Sequence, residues 1–115
     1  MIHVMKLHNH PFQQIKSGEK TIELRLYDTK RQRIRVNDTI RFESVSGEAL
    51  TAKVKALHVF ADFGQLYAAL PLTKCGYTKQ EARTASPDDM LAYYTAAQIR
   101  NCGVVGIELT EVNPC

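Results

Sequence analysis

The stretch GEKTIELR, residues 18–25, contains the pattern from which the rest of the fold can be worked out. Its second half alternates polar positions, Thr21, Glu23 and Arg25, with isoleucine and leucine. This period of two predicts a strand with one charged face and one apolar face. Gly18 suits the left-handed cap of a preceding helix. We therefore predict a helix, a turn and then a strand that carries Glu23 and Arg25 side by side.

The segments on either side of this unit predict four more strands and a helical insert. Periodicity and turn residues place the strands at residues 3–7, 21–26, 39–45, 50–60 and 104–112. In the third strand we expect Ile40, Phe42 and Val45 to point inward. A short helix begins at Pro11, and further helices begin at Phe63, Thr78 and Ser86. Thr95 and Gln98 either cap another helix or lie within one that continues to Asn101.

This order of elements predicts an α+β fold in a single domain, residues 1–115. We expect a small mixed or antiparallel β-barrel with helices at its rim and a helical insert before the last strand. The chain has neither a GxGxxG motif nor a P-loop, which argues against a doubly wound nucleotide fold.

The overall composition predicts a soluble, cytoplasmic protein without a metal or cofactor. No apolar run approaches the roughly 20 residues that cross a bilayer. Three scattered cysteines argue against a disulfide framework, and the lack of a CxxC pair argues against structural zinc. His8 and His10 lack a third ligand nearby, and His58 lies in a predicted strand. The oligomeric state is left open.

A basic cluster follows the motif strand. Residues 30–35 read KRQRIR and contain Lys30, Arg31, Arg33 and Arg35. Such a cluster is either a solvated turn or a set of contacts to nucleic-acid phosphates.

The motif residues themselves are suited to holding an anion or a nucleotide. Gly18 allows close approach of the backbone, and Arg25 presents a planar fork of donors. Residues two apart on a strand face the same way, so Glu23 and Arg25 can be neighbours. Lys20 has the opposite parity and can join them only if residues 18–20 form a turn or bulge. The alternative is an ordinary Glu–Arg pair on a solvated face, which stabilises by about 0–1 kcal/mol.

These residues resemble a known family. Gly18, Lys20, Glu23 and Arg25 match G-x-K-x-x-E-x-R, the hallmark of ASCH domains, which are relatives of the RNA-binding PUA domain. The surrounding IKSGEKTIELRLYDTKRQRIRVNDTIRF and the C-terminal LAYYTAAQIRNCGVVGIELTEV are also similar to the family, whereas residues 61–86 are the least similar. The resemblance implies a PUA-like barrel with a cleft between barrel and helices, where RNA or a modified nucleoside binds.

Some small bacterial members of the family hydrolyse N4-acetylcytidine, and others are reported to cleave RNA. The resemblance to the amidohydrolases implies a catalytic lysine, threonine and glutamate. Lys20 matches the lysine, but Glu23 stands where the threonine belongs. Thr21 is the adjacent hydroxyl, and Glu81 is only a loose counterpart of the glutamate. If the chain is an enzyme, these four residues are the candidates.

We therefore expect a module that binds RNA or a modified nucleoside. Gly18, Lys20, Glu23 and Arg25 would lie in the cleft, and the basic cluster would contact phosphates. Tyr27 and Tyr93 are candidates to line the site or stack on a base, whereas Tyr94 falls on the apolar side of its helix. A hydrolase of RNA or of an acylated nucleoside is the alternative, and a domain that binds a protein partner is the third hypothesis.

Overall fold

The fold is built around one five-stranded mixed sheet. In the computed structural model, which describes residues 1–115, the strands are β1 (Ile2–Leu7), β2 (Ile22–Leu26), β3 (Thr39–Ser44), β4 (Ala49–Phe60) and β5 (Val104–Pro114). The helices are α1 (Asn9–Ser17), α2 (Phe63–Ala69), α3 (Lys79–Thr84) and α4 (Ala96–Cys102). Short 3-10 turns cover Arg31–Arg33, Leu72–Lys74 and Pro87–Ala92. The predicted α+β class and the helical insert before the last strand are confirmed.

The sheet has the strand order β1-β3-β4-β5-β2 and curls into a half-barrel. β1 runs parallel to β3, and the other neighbours are antiparallel. The register between β4 and β5 shifts between Thr51 and Lys53 and again between Val54 and Ala56. Such irregularities bend a strand and increase its twist, which lets the long β4 follow the curvature. β1 and β2 are left as the two edge strands of the half-barrel.

Apolar side chains cover both faces of the sheet. The inner face and α1 enclose the larger cluster, which comprises Met5, Leu7, Phe12, Ile15, Ile34, Ile40, Phe42, Leu50, Ala52, Val54, Val105, Ile107 and Leu109. The outer face packs against the helical insert through Leu26, Phe63, Leu66, Met90 and Val104. α1 therefore closes the inner side of the half-barrel, and the insert covers part of the outer side.

The third strand follows the predicted pattern only as far as Ser44. Ile40 and Phe42 are fully buried, as expected from their alternation. The expectation for Val45 is wrong, because the strand ends one residue earlier and Val45 is 71% exposed in the hairpin turn. Ser44 takes the inward position instead and is buried.

The helical insert consists of short pieces rather than one long helix. Thr95 caps α4, because its hydroxyl accepts a hydrogen bond from the Gln98 backbone N–H at 3.1 Å. This settles the two alternatives for that pair in favour of a separate helix. The segment after Ser86 forms a 3-10 turn, although its capping box resembles that of a helix. No helix of the chain has both the length and the apolar character that a bilayer-spanning segment requires.

The junction between α4 and β5 tests the fold directly. Gly103 has φ +71° and ψ −172°, a conformation that is essentially restricted to glycine. A Cβ at this position would lie 2.9 Å from the Phe60 carbonyl oxygen. We expect Gly103→Ala to lower the free energy of unfolding, measured by urea denaturation, by at least about 2 kcal/mol.

Gly47 provides the matched control. It also has a positive φ, +97°, but nothing lies within 4 Å of a Cβ placed there. Gly47→Ala should therefore show only the backbone cost, about 1 kcal/mol. Equal losses for the two variants would contradict the close approach of Gly103 to β4.

Candidate functional site

The turn before β2 determines where Lys20 points. Gly18 ends α1 in the left-handed conformation, with φ +88°. The Lys20 backbone N–H donates to the Gln14 carbonyl at 3.0 Å, and the Thr21 N–H donates to the Lys74 carbonyl at 2.8 Å. Regular strand structure begins only at Ile22. Lys20 is therefore free of the strand alternation, and its side chain reaches the face that carries Glu23.

Three charged side chains converge at this edge of the half-barrel. Lys20 Nζ lies 2.7 Å from Glu23 Oε1, and Arg25 Nε donates to Glu23 Oε2 at 2.8 Å. The side chains of Lys20, Glu23 and Arg25 are only 10%, 4% and 15% exposed. The alternative of a solvated surface pair is therefore wrong for these residues. We call Lys20, Glu23 and Arg25 the buried triad.

The buried triad keeps Glu23 ionised. Burial by itself raises the pKa of this carboxyl, but the charges and hydrogen bonds of Lys20 and Arg25 outweigh burial. The net effect lowers the pKa of Glu23 below its ordinary value of 4.5. At neutral pH the group is a carboxylate between two cations, which leaves the triad with a positive net charge.

Arg25 also connects the two edges of the half-barrel. Its Nη2 donates to the Lys6 backbone carbonyl at 3.0 Å, and that carbonyl belongs to β1. Lys30 Nζ makes a second link of this kind to the Val4 carbonyl at 3.1 Å. Side-chain donors thus join the β2 side of the opening to the unpaired edge of β1. The sequence predicted neither link, since the acceptors are backbone carbonyls of a strand remote along the chain.

The helical insert brings further side chains towards the buried triad. The Gln14 amide donates to the Gly76 carbonyl, and the charges of Lys20 and Glu23 act on the neighbouring Cys75 thiol. Burial is the main reason that the pKa of Cys75 rises to about 11, so this thiol is neutral at physiological pH. Sequence reasoning did not select Cys75 or Gln14, because no motif spacing connects either residue to Lys20.

Two tyrosines, Tyr67 and Tyr77, contact each other near Cys75 in the helical insert. The hydroxyls of Tyr67 and Tyr77 are hydrogen-bonded to each other, and burial is the main cause of the raised pKa of both phenols. Tyr94 stacks on Phe63 with ring centroids 6.2 Å apart, and the charges of Arg25 and Glu23 act on its hydroxyl. The expectation that Tyr94 packs on the apolar side is consistent with this contact. Tyr67 and Tyr77 are site candidates that the sequence did not single out.

The remaining motif candidates are dispersed. Gly18 is exposed at the helix cap, and nothing lies within 4 Å of a Cβ placed there. Thr21 precedes β2 and lines a separate groove rather than the buried triad. Glu81 is exposed, and its carboxylate accepts from the Thr78 backbone N–H at 2.8 Å in a capping box. The four residues considered for catalysis are therefore not assembled into one cluster, because only Lys20 and Glu23 meet.

The two aromatic candidates differ in exposure. Tyr27 is partly buried against the inner apolar cluster, and its backbone N–H donates to the Gly103 carbonyl. Tyr93 is 69% exposed and directly precedes Tyr94. Tyr93 is therefore available to a ligand, whereas the ring of Tyr27 belongs largely to the core.

The basic cluster contains two side chains that bond to other parts of the protein and two that do not. Arg31 pairs with Asp28 at 3.2 Å and is mostly buried, while Lys30 is held by β1 as described above. The side chains of Arg33 and Arg35 are exposed, and neither makes a hydrogen bond or ion pair within the protein. Within the basic cluster, Arg33 and Arg35 are therefore the residues whose charged side chains have no partner in the protein.

The histidines do not form a metal site. No group of three or more His, Cys, Asp or Glu side chains is arranged to hold a metal ion. His3 pairs with Asp38 at 2.8 Å, and His58 pairs with Glu108 at 2.9 Å. His8 and His10 lie at the start of α1 without a third ligand.

Comparison with known proteins identifies the family. The ASCH domain model matches residues 5–112, which is nearly the whole chain. The chain belongs to the ASCH domain family, a PUA-like family associated with RNA binding. No curated protein is significantly similar to the chain in sequence.

Solved structures share the fold over the full chain. The hypothetical protein PH0355, known from a crystal structure, is 28% identical to this chain in sequence. Its structure aligns with a TM-score of 0.79 over 100% of both chains. The solution structure of PF0455 from Pyrococcus furiosus is 29% identical with a TM-score of 0.69, covering 99% of this chain and 97% of the other. The crystal structure of ASCH from Zymomonas mobilis is 18% identical with a TM-score of 0.65, covering 98% of this chain and 69% of the other, and shows likeness of fold alone.

Replacing the central carboxylate of the triad measures how strongly the buried ion pairs stabilise the fold. Glu23→Gln leaves two buried cations without a counterion, so we expect a loss of about 3–5 kcal/mol in the free energy of unfolding. The depressed pKa of Glu23 adds a pH signature. The difference in the free energy of unfolding between wild type and variant should be largest above pH 4.5. It should shrink as the pH falls through the lowered pKa of Glu23 in the folded protein.

The Arg41–Glu43 pair is a matched control on β3. It has the same two-residue spacing and a distance of 3.1 Å, but its side chains are 40% and 38% exposed. Glu43→Gln should therefore change stability by no more than about 1 kcal/mol. If both variants lost the same amount, the triad would behave as an ordinary surface pair.

Proposed function

We propose that this protein binds RNA and that the buried triad contacts a nucleotide at the opening between β1 and β2. The observation that carries the proposal is the convergence of Lys20 and Arg25 on a single carboxylate. Two cations and one anion leave an excess positive charge at a site that is largely shielded from water. Electrostatic attraction to an anion is stronger in such a setting than on an open surface.

The buried triad also retains hydrogen-bond donors for a ligand. The Lys20 ammonium has three donors and one protein partner, Glu23. Arg25 uses Nε and Nη2 within the protein, and its Nη1 has no protein partner. These donors suit a phosphate oxygen or the carbonyl oxygen of a base. The carboxylate orients both cations, so the ligand would meet donors that are already positioned.

Neighbouring residues support the same conclusion. The exposed Arg33 and Arg35 would attract the phosphate backbone without reading sequence. Tyr93 exposes an aromatic ring beside Tyr94, whose hydroxyl responds to the charges of the triad, and would stack on an unpaired base. The association of ASCH domains with RNA binding agrees with this assignment.

Salt dependence tests the contribution of the basic cluster. RNA affinity should fall as salt rises, because neutralised phosphates release counterions. We expect the double variant Arg33→Ala/Arg35→Ala to reduce the slope of log K against log salt by about 1–2 in magnitude. Fluorescence anisotropy with a labelled single-stranded octanucleotide measures both quantities.

A charge-matched control uses the exposed Lys79 and Arg83 on α3. Lys79→Ala/Arg83→Ala removes the same charge and should leave the slope close to that of the wild type. An affinity that does not change with salt would contradict the role of the cluster. No binding of any oligonucleotide would favour a domain that binds a protein partner instead.

Hydrolysis of N4-acetylcytidine is the function that the geometry disfavours. Lys20 is paired with an ionised carboxylate, and a protonated amine has no lone pair with which to attack an amide. Thr21 precedes β2 and lines a separate groove, and Glu81 is held in its capping box. We therefore expect little or no acetate release by the wild type. The triad can still hold the nucleoside, which NMR titration would detect.

The assay compares acetate release by the wild type, Lys20→Ala and Glu23→Thr. Glu23→Thr restores the threonine of the amidohydrolase pattern, so any gain of activity should appear in this variant. Robust turnover by the wild type that is lost in Lys20→Ala would overturn the binding assignment and establish an enzyme. Circular dichroism spectra of each variant would exclude loss of folding as the cause.

A further inference from the structure

The groove lined by Thr21 lies on the outer face of the sheet, where Ile22 of β2 pairs with Glu108 of β5. It has a volume of about 480 Å³ and opens where β4, β5 and β2 run side by side beyond the end of α2. Leu70 and Pro71 form an apolar wall. The polar lining comes from Thr21, Lys55, His58, Lys74 and Glu108. Four separate segments of the chain therefore contribute side chains to the lining of one groove.

The groove carries more positive than negative charge. Glu108 is its one acidic residue, and His58 Nε2 and Lys55 Nζ contact the Glu108 carboxylate at 2.9 and 3.6 Å. The hydrogen bond from His58 is the main cause of the lowered pKa of Glu108, so the group is ionised at neutral pH. The two lysines exceed the single carboxylate by one unit of charge. This pairing also holds Lys55 and His58 at the wall of the groove.

Lys74 provides the unpaired cation. Its ammonium makes no ion pair within the protein, while its backbone carbonyl accepts from the Thr21 N–H at 2.8 Å. This backbone bond holds the Thr21 and Lys74 segments together at one end of the groove. The backbone positions of a threonine and a lysine are therefore fixed beside each other in the groove.

We propose that this groove binds a phosphate group carried by a nucleotide. Lysine ammonium groups and a threonine hydroxyl are donors suited to phosphate oxygens. The Leu70–Pro71 wall accommodates the apolar surface of the attached sugar or base. The phosphate belongs either to a free mononucleotide or to a nucleotide within an RNA strand. On β2, the groove-lining Ile22 pairs with Glu108 while Glu23 of the triad pairs with Ile107, so the groove and the triad take β2 side chains of opposite parity.

The test is an amide NMR titration of the whole chain with inorganic phosphate, uridine 5′-monophosphate and a uridine octanucleotide. We expect saturable shifts at the amides of Thr21, Ile22 and Lys74. Saturation by the mononucleotide identifies a site for free nucleotides, and saturation by the octanucleotide alone identifies a strand contact. Both results support phosphate binding. No saturable shift in the groove with any of the three probes would overturn it.

Matched variants separate this groove from general charge effects and from the triad. Lys74→Gln should weaken binding in the groove about tenfold, the effect of losing one charge-assisted hydrogen bond. Lys79→Gln removes the same charge on α3 and should leave the affinity unchanged. Equal weakening by both variants, or none by Lys74→Gln, would contradict the proposal. The Lys74 amide reports the groove and the Arg25 amide reports the triad, so either site can fail without the other.

Discussion

A buried carboxylate between two cations is the interaction on which the site and the closure of the half-barrel depend. An isolated carboxylate at 4% exposure would be strongly destabilising, so Glu23 requires partners for both of its oxygens. Lys20 satisfies one oxygen and Arg25 satisfies the other. The partners come from the turn after α1 and from β2, so that turn has to lie against the edge strand. Arg25 then extends the network to the Lys6 carbonyl on β1.

The hydrogen bonds of the triad and Lys30 partly compensate for the two unpaired edges of the sheet. A five-stranded half-barrel leaves two edge strands, β1 and β2, with unpaired backbone groups. Full closure would pair these edges with backbone hydrogen bonds. Here the long side chains of Arg25 and Lys30 contact β1 carbonyls. A joint made by side chains leaves an opening that is lined with donors, which is a suitable place for an anionic ligand.

The same arrangement limits the chemistry of Lys20. A lysine that attacks a carbonyl must lose its proton, and here the Lys20 ammonium is paired with the ionised Glu23 carboxylate. A position occupied by threonine in the amidohydrolase pattern here holds the counterion of the lysine. In the proposed function, this difference favours a site that holds an oxyanion over one suited to nucleophilic attack. The helical insert adds the neutral Cys75 thiol beside this site, and this group does not compete for the charge.

The sequence by itself determined the order of the strands along the chain, the cap at Gly18 and the polar face of β2, because these follow from local periodicity and backbone preference. It also allowed Lys20 to join Glu23, but only on the condition that the intervening residues leave the strand. Tertiary structure decided the rest. The hydrogen bonds of Lys20 and Thr21 to Gln14 and Lys74 set the turn, and contacts with β1 turned Arg25 and Lys30 into links across the opening. Local pattern could not reveal these roles, since each acceptor is a backbone carbonyl that only folding brings near.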